Sequence, residues 1–311
     1  MILSVLSNAS GFFSTFFFTL NHYIFCKKNK KNFIIHDKYW TFKYKNGWTD
    51  YFKDCSLYFA EDKDRQMQQC GHTTELGKYT LIDYKNIIRE IYNYNDHVAN
   101  LIQERKQKYN LIDNNYDSIF IRHGDKLIWE SKLIPTTKYI EILLEKNPNC
   151  TTIYLQTDDY NCYLELQEYI QLHQLNIRII CFCDPKYKGG MVMNRYNIVN
   201  GLIPASQQND SRNQPYVSSH MSQYQTNKPV TEMNPDEIFE HTLEMIIGLD
   251  IVFHSKFCIL DYQSNVSRFI KLAHNNMDNV IDVYAPDIPI NMNSNKCPAF
   301  GFDHYDTLTI K

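Results

Sequence analysis

The stretch IFIRHGDKLIWE, residues 119–130, passes from three apolar residues directly into four charged or titratable ones, Arg122, His123, Asp125 and Lys126. A short apolar run bounded by polar residues is typical of a buried strand that ends at the protein surface. In open α/β sheets, ligands bind just beyond the carboxyl ends of the strands. The stretch therefore predicts a strand over residues 118–121, followed by a loop that carries chemistry.

The same alternation of strands and helices continues on both sides of this stretch. Further strands are predicted at 1–6, 32–36, 152–156, 177–183 and 250–253. Helices are predicted at 12–26, 86–109, 136–145, 163–173, 235–248 and 263–274. This alternation indicates an α/β fold with parallel sheets.

Two such series predict two Rossmann-like lobes with a cleft between them. We place the N-terminal lobe at residues 1–110 and the C-terminal lobe at residues 111–311. Within the second lobe, residues 185–235 are polar and show no periodicity, a length that is unusual inside a compact domain. This stretch is therefore either a functional loop or a disordered insertion.

Composition excludes several classes of protein. The chain has 311 residues, of which 43% are apolar and 22% are charged, as is ordinary for a globular protein. Its net charge of −3 lacks the basic excess of a nucleic-acid-binding protein, so we expect no nucleic-acid partner. The apolar segment 12–25 has no basic residue before it and is interrupted by Asn21 and His22. It predicts a buried helix rather than a signal peptide or a membrane span.

The cysteines indicate a reducing compartment. Nine cysteines occur without the CxxC spacing of a zinc site, and their odd number argues against a complete set of disulfides. Cys70 and His72 have no further ligand nearby in the sequence, so we predict no metal site. Reduced thiols and the lack of a signal peptide favour a cytoplasmic location. The heavy use of Asn, Lys, Ile and Tyr is typical of an AT-rich genome, which suits a microbe or a large virus in its host's cytoplasm.

Polar residues follow the predicted strands or open the next helix: Asp158 and Asp159, Ser255 and Lys256, and Ser264. An arginine, a lysine and a helix N-terminus that face one cleft would suit a diphosphate without a metal. Each group also has a structural alternative. Arg122 and Asp125 would form a surface ion pair, the two adjacent aspartates would cap a helix, and Ser264 would be an ordinary N-cap.

Four blocks of the sequence occur in the order found in the α1,6-type fucosyltransferase superfamily, which includes the core and Nod-factor fucosyltransferases. The family motif His-Val-Arg-Arg-x-Asp-Lys-x-x-x-Glu resembles residues 120–130, FIRHGDKLIWE. The family's N-terminal Gly-loop helix, strand and Trp…Gly-Trp segment resemble residues 11–52. The family blocks YLATDD and FSSQVCRV resemble IYLQTDD at 153–159 and DYQSNVSRF at 261–269.

The resemblance implies a GT-B-like fold and an inverting, metal-independent transfer of fucose from GDP-fucose to a glycan or glycoprotein acceptor, with no cofactor. The implied catalytic residues are Arg122, which holds the β-phosphate, Glu130 as the base, Lys126 near the acceptor, and Asp125. The implied donor-binding residues are Gly11, His123, Asp158, Asp159, Glu244, Ser264 and Asn265. Among these, Glu244 would read guanine, Ser264 would contact phosphate, and Gly11 would lie in a loop that closes over the donor.

The sequence departs from the family pattern at several positions. Phe120 replaces the family's His, His123 replaces its second Arg, and Phe13 replaces a loop Gly. Residues 185–235 have no simple counterpart. These departures keep two other hypotheses open. The chain would be a relative that binds nucleotide or glycan without turnover, or a transferase that uses a different nucleotide donor.

Overall fold

The computed structural model describes residues 1–6, 11–60, 62, 68–70, 79, 81–124, 133–191, 228–262 and 264–286. The described residues divide between Ala99 and Asn100 into two compact units, which we call the N-terminal and C-terminal units. This division falls inside a helix, Asp96–Lys108. The separate domains that the sequence predicts at 1–110 and 111–311 stay predictions.

The N-terminal unit is built on a three-stranded parallel sheet of order β2-β1-β3. Its elements are β1 (Ile2–Val5), α1 (Phe12–Asn29), β2 (Phe33–His36), a 3-10 turn (Gly47–Asp50), β3 (Gln68–Cys70), α2 (Leu81–Ile91) and the start of α3 (Asp96–Lys108). The strand β3 was not predicted, because its sequence Gln68-Gln69-Cys70 lacks an apolar pattern.

The helix α1 confirms the prediction of a buried helix in the apolar N-terminal segment. Its two interrupting polar residues are buried and hydrogen-bonded, since Tyr84 Oη donates to Asn21 and Ser4 Oγ lies 2.7 Å from His22 Nδ1. Such partners offset the cost of burying polar groups. Among the described residues, no helix is both long enough and apolar enough to span a bilayer.

One predicted helix, 86–109, is in fact two. The helices α2 and α3 are separated by residues 92–95. The side chain of Asn95 accepts from the Val98 N–H (2.9 Å) and donates to the carbonyl oxygens of Thr49 and Asp50 (both 3.0 Å). The break was missed because Asn95 acts as an N-cap, which interrupts a periodic pattern without Gly or Pro.

The C-terminal unit is built on a five-stranded parallel sheet of order β6-β5-β4-β7-β8. Its further elements are β4 (Asp117–Ile121), α4 (Thr136–Lys146), β5 (Thr152–Thr157), α5 (Tyr160–Leu172), β6 (Arg178–Cys181), α6 (Pro235–Phe253), β7 (Cys258–Leu260), α7 (Asn265–Ala273) and β8 (Val280–Asp282). The central strand β4 is buried along its whole length. Apolar residues of α4 and α5 join it in one core.

The strand predicted at 250–253 is wrong, because these residues form the last turn of α6. Gly248 suggested a helix end, but it lies against β5. A Cβ atom there would come within 2.6 Å of Tyr154 Oη, so glycine permits the close approach of helix and strand. As a consequence, Ser255 and Lys256 precede β7 and lie at the amino edge of the sheet, not at its carboxyl edge.

Candidate functional site

The first candidate residues meet because β4 and β5 are parallel neighbours. Ile121 pairs with Thr157 at the carboxyl ends of these strands, so the residues that follow each strand come side by side. The Arg122 guanidinium forms an ion pair with Asp158, and the two side chains are 21% and 14% exposed. Asp125, the partner that the sequence allowed for Arg122, lies outside the described residues, so that ion pair stays a prediction.

The Asp158 carboxylate has two further donors besides Arg122. Its Oδ1 atom accepts from the backbone N–H of His123 and its Oδ2 atom from that of Met191, both at 2.9 Å. Arg122 Nη1 in turn donates to the carbonyl oxygens of His123 (3.0 Å) and Met191 (3.3 Å). One carboxylate thus joins the end of β4 to residues far along the chain.

Asp159 is the N-cap of α5, which confirms the helix-cap alternative for this residue. Its Oδ1 atom accepts from the N–H of Asn161 (3.0 Å) and from that of Gly189 (2.8 Å). Its Oδ2 atom lies 3.0 Å from His123 Nδ1. The carboxylate is 0% exposed, so these partners compensate for the burial of its charge.

Residues 184–191, which we call the glycine segment, lie against the carboxyl edge of the sheet. Besides the contacts of Gly189 and Met191, the Tyr187 carbonyl accepts from the Tyr160 N–H (2.7 Å). Tyr187 Oη lies 2.5 Å from His241 Nε2 on α6. The sequence did not predict this contribution of the glycine segment; the Gly189-Gly190 pair signals only a turn.

Ser264 and Asn265 lie at the same edge of the sheet, after β7, which neighbours β4. Ser264 is 3% exposed, and its Oγ atom accepts from the Ser267 N–H (3.1 Å). The ordinary N-cap alternative is therefore confirmed for Ser264. Asn265 Oδ1 accepts from Arg268 Nη1 (3.2 Å). Both side chains make local bonds that orient the first turn of α7.

Glu244 is held by an arginine of the same unit. Its two carboxylate oxygens accept from Arg105, from Nη1 at 2.9 Å and from Nη2 at 2.5 Å, in a bidentate ion pair. The sequence did not predict this partner for the residue assigned to guanine.

The other implied residues belong to the N-terminal unit or lie outside the described residues. Gly11 is the N-cap of α1 in the N-terminal unit and makes no side-chain cap. Asp125, Lys126 and Glu130 lie outside the described residues, as does most of the polar stretch 185–235.

No protein-family model and no curated protein matches this sequence. Among solved structures, the crystal structure of NodZ α-1,6-fucosyltransferase soaked with GDP-fucose matches with a TM-score of 0.52. The match covers 92% of this chain and 96% of that chain, at 8% sequence identity.

The chain has a fucosyltransferase-like fold. This confirms the predicted α/β, GT-B-like fold class. At 8% identity, the likeness concerns the fold alone, and the chemistry depends on the residues at the site.

The described residues include one grouping with metal-ligand chemistry. The ligand atoms of His123, Asp159 and Cys162 lie within 4.8 Å of one another, and all three residues are buried. Cys162 Sγ lies 3.6 Å from His123 Nδ1. Burial raises the pKa of the Cys162 thiol well above its ordinary value, so the thiol is protonated at neutral pH and is not a nucleophile.

What the site offers chemically is a set of donors for an anion. The Arg122 guanidinium and the N–H groups of His123 and Met191 point at one carboxylate, at the edge of the sheet where α/β proteins bind ligands. Guanidinium and backbone N–H groups are also the donors that bind phosphate.

Proposed function

We propose that this chain is a glycosyltransferase that binds the diphosphate of GDP-fucose beside Arg122 and transfers fucose to a glycan or glycoprotein acceptor. One observation carries the proposal. On a fucosyltransferase-like fold, Arg122 and two backbone N–H groups converge at the carboxyl edge of the sheet. The family resemblance and this placement support the same site from independent directions.

The proposed reaction is a direct displacement without a metal. The acceptor hydroxyl attacks the anomeric carbon while GDP leaves from the opposite face, so the sugar carbon is inverted. Negative charge develops on the diphosphate, and a fixed guanidinium with oriented N–H groups stabilises it. The hydroxyl proton passes to Glu130, with Lys126 and Asp125 nearby; these roles follow from the family resemblance.

Donor specificity and activity are tested together. We expect GDP to raise the melting temperature of the protein more than UDP, ADP or CMP do, and GDP-fucose to be hydrolysed or transferred. Arg122→Ala should lower the rate by about a hundredfold or more, since one lost charge-stabilising donor costs that much in other enzymes. Arg178→Ala is the matched control, because Arg178 is exposed and begins β6 at the amino edge.

A different result of these assays would point to the second function, a protein of the same fold that binds nucleotide or glycan without turnover. Two observations favour it. The Glu244 carboxylate is already paired with Arg105, and His123 is bonded to Asp159. GDP binding by calorimetry, with neither hydrolysis nor transfer of GDP-fucose, would establish this alternative. A preference for UDP, ADP or CMP would instead indicate a transferase with another donor.

A further inference from the structure

The Asp158 carboxylate occupies a complete set of anion donors. Three groups from two places in the chain bond to it: the Arg122 guanidinium, the His123 N–H and the Met191 N–H, the last two at 2.9 Å. Two of these are backbone groups, whose positions are fixed by β4 and by the glycine segment. The set is therefore built by the fold and does not depend on the identity of most side chains.

The same donors suit a phosphate at least as well as a carboxylate. A guanidinium binds phosphate oxygens through its planar fork, and converging backbone N–H groups form anion-binding concavities. The site is also partly open, since Arg122 is 21% exposed and Asp158 is 14% exposed. Gly190 keeps the space beside the carboxylate clear, because a Cβ atom there would lie 3.0 Å from Asp158 Oδ2.

We propose that the Asp158 carboxylate is an internal stand-in for a phosphate group of the donor. A phosphate oxygen takes its place on Arg122, His123 and Met191, and Asp158 turns away from them when the diphosphate binds. Asp158 is thus an internal competitor of the donor. This inference rests on the proposed function, because it deepens the account of the same site.

The Asp158 carboxylate and the donor phosphate exclude each other because of electrostatic repulsion. A carboxylate and a phosphate about 4 Å apart near a protein surface carry like charges and repel each other. If both anions bonded to the three donors at the same time, this repulsion would weaken the binding of the phosphate. Removing the charge of Asp158 should therefore strengthen ligand binding, whereas removing an aspartate that binds a ligand weakens it.

The test compares Asp158→Asn with the wild-type protein in calorimetric titrations with inorganic pyrophosphate and with GDP. Asparagine keeps an acceptor for one N–H group but removes the competing charge. We expect both ligands to bind about tenfold more tightly, because about 1.4 kcal/mol of relieved repulsion is a factor of ten. The matched control is Asp184→Asn, which removes the same charge from an exposed residue of the glycine segment. It should change the affinities by less than about twofold.

The outcomes separate this inference from the proposed function. If the wild-type protein binds GDP and Asp158→Asn binds it equally or less tightly, the competitor role is wrong and the proposed function stands. If Asp158→Asn gains affinity for pyrophosphate but no form prefers GDP or turns over GDP-fucose, the anion site is supported and the proposed function fails.

A second measurement applies even if Asp158→Asn does not fold. In a crystal structure of the wild-type protein with GDP, we expect a phosphate oxygen on Arg122 and the Asp158 carboxylate turned away from it. A bound diphosphate with the Arg122–Asp158 ion pair intact would overturn the inference.

Discussion

A Cβ atom on Gly190 would lie 2.8 Å from the Cα atom of Gly124, closer than side chains approach backbone in folded proteins. Both glycines also have positive φ angles, +84° for Gly190 and +66° for Gly124. The loop after β4 and the glycine segment therefore touch backbone to backbone. This contact places the Met191 N–H beside the other two anion donors, Arg122 and the His123 N–H. Only glycine allows it at either position.

Gly190→Ala should separate these two backbones. The added methyl group meets Gly124, and the positive φ strains alanine, so we expect a loss of about 1–3 kcal/mol in the free energy of unfolding. The affinity for GDP should fall as well, because the Met191 N–H moves away from Arg122. Urea unfolding and calorimetry measure the two effects. Lys188→Ala, a change of an exposed side chain in the same segment, is the control; equal results for both variants would contradict the role of Gly190.

Asp159→Ala should destabilise the protein more than the loss of a helix cap alone. The substitution removes the acceptor of the Asn161 and Gly189 N–H groups and the partner of His123. A cap contributes about 1 kcal/mol, and each buried donor left without a partner costs a further 1–3 kcal/mol or so. We expect a total loss of about 3 kcal/mol in urea unfolding. A loss below about 1 kcal/mol, as expected for Asp184→Ala at an exposed position, would contradict this role.

Ser264→Ala should act on both stability and binding. The Ser267 N–H loses its acceptor, which costs about 1 kcal/mol of stability. If the hydroxyl also contacts the donor phosphate, GDP should bind several-fold more weakly at a temperature where the variant is fully folded. Ser264→Thr, which keeps the hydroxyl, should restore the affinity. Unchanged binding by the alanine variant would leave Ser264 as a cap only.

His274 should make stability depend on pH. Burial lowers its pKa from 6.5 to about 4. Between these values the unfolded chain holds a proton that the folded chain does not, so the free energy of unfolding falls as the pH falls. Above pH 6.5 His274 is neutral in both states and costs no stability. By pH 4 the free energy of unfolding has fallen by on the order of 3 kcal/mol.

Unfolding curves at several pH values between 4 and 7 measure this slope. His274→Gln should be less stable at pH 7 but should have a shallower dependence on pH than the wild-type protein. His173→Gln, which removes an exposed histidine, is the control. Equal slopes for all three proteins would show that His274 does not titrate as its burial requires.

Several features of the fold and site were predictable from the sequence for a simple physical reason. The runs at 119–121 and 153–155 are apolar because parallel strands are buried on both faces, and parallel strands end at the same edge. Hence the prediction placed Arg122, Asp158 and Asp159 together. The strand at β3 and the end of α6 were missed, because β3 has no apolar pattern and Gly248 serves packing rather than termination.

The remaining contacts of the site correspond to no recognisable pattern of side chains in the sequence. Met191 contributes a backbone N–H, which every residue except proline carries, and it reaches the site from 69 positions beyond Arg122. Likewise, no pattern in the sequence states that Arg105 pairs with Glu244 across 139 positions. The cytoplasmic location, the viral source and the independence from metal stay predictions.

The central claim, that the donor's diphosphate binds at Arg122, is tested most directly by a crystal structure with bound GDP. We expect a phosphate oxygen within hydrogen-bonding distance of the Arg122 guanidinium, about 3 Å, at the carboxyl edge of the sheet. GDP bound elsewhere on the protein, with its phosphates far from Arg122, would contradict the claim.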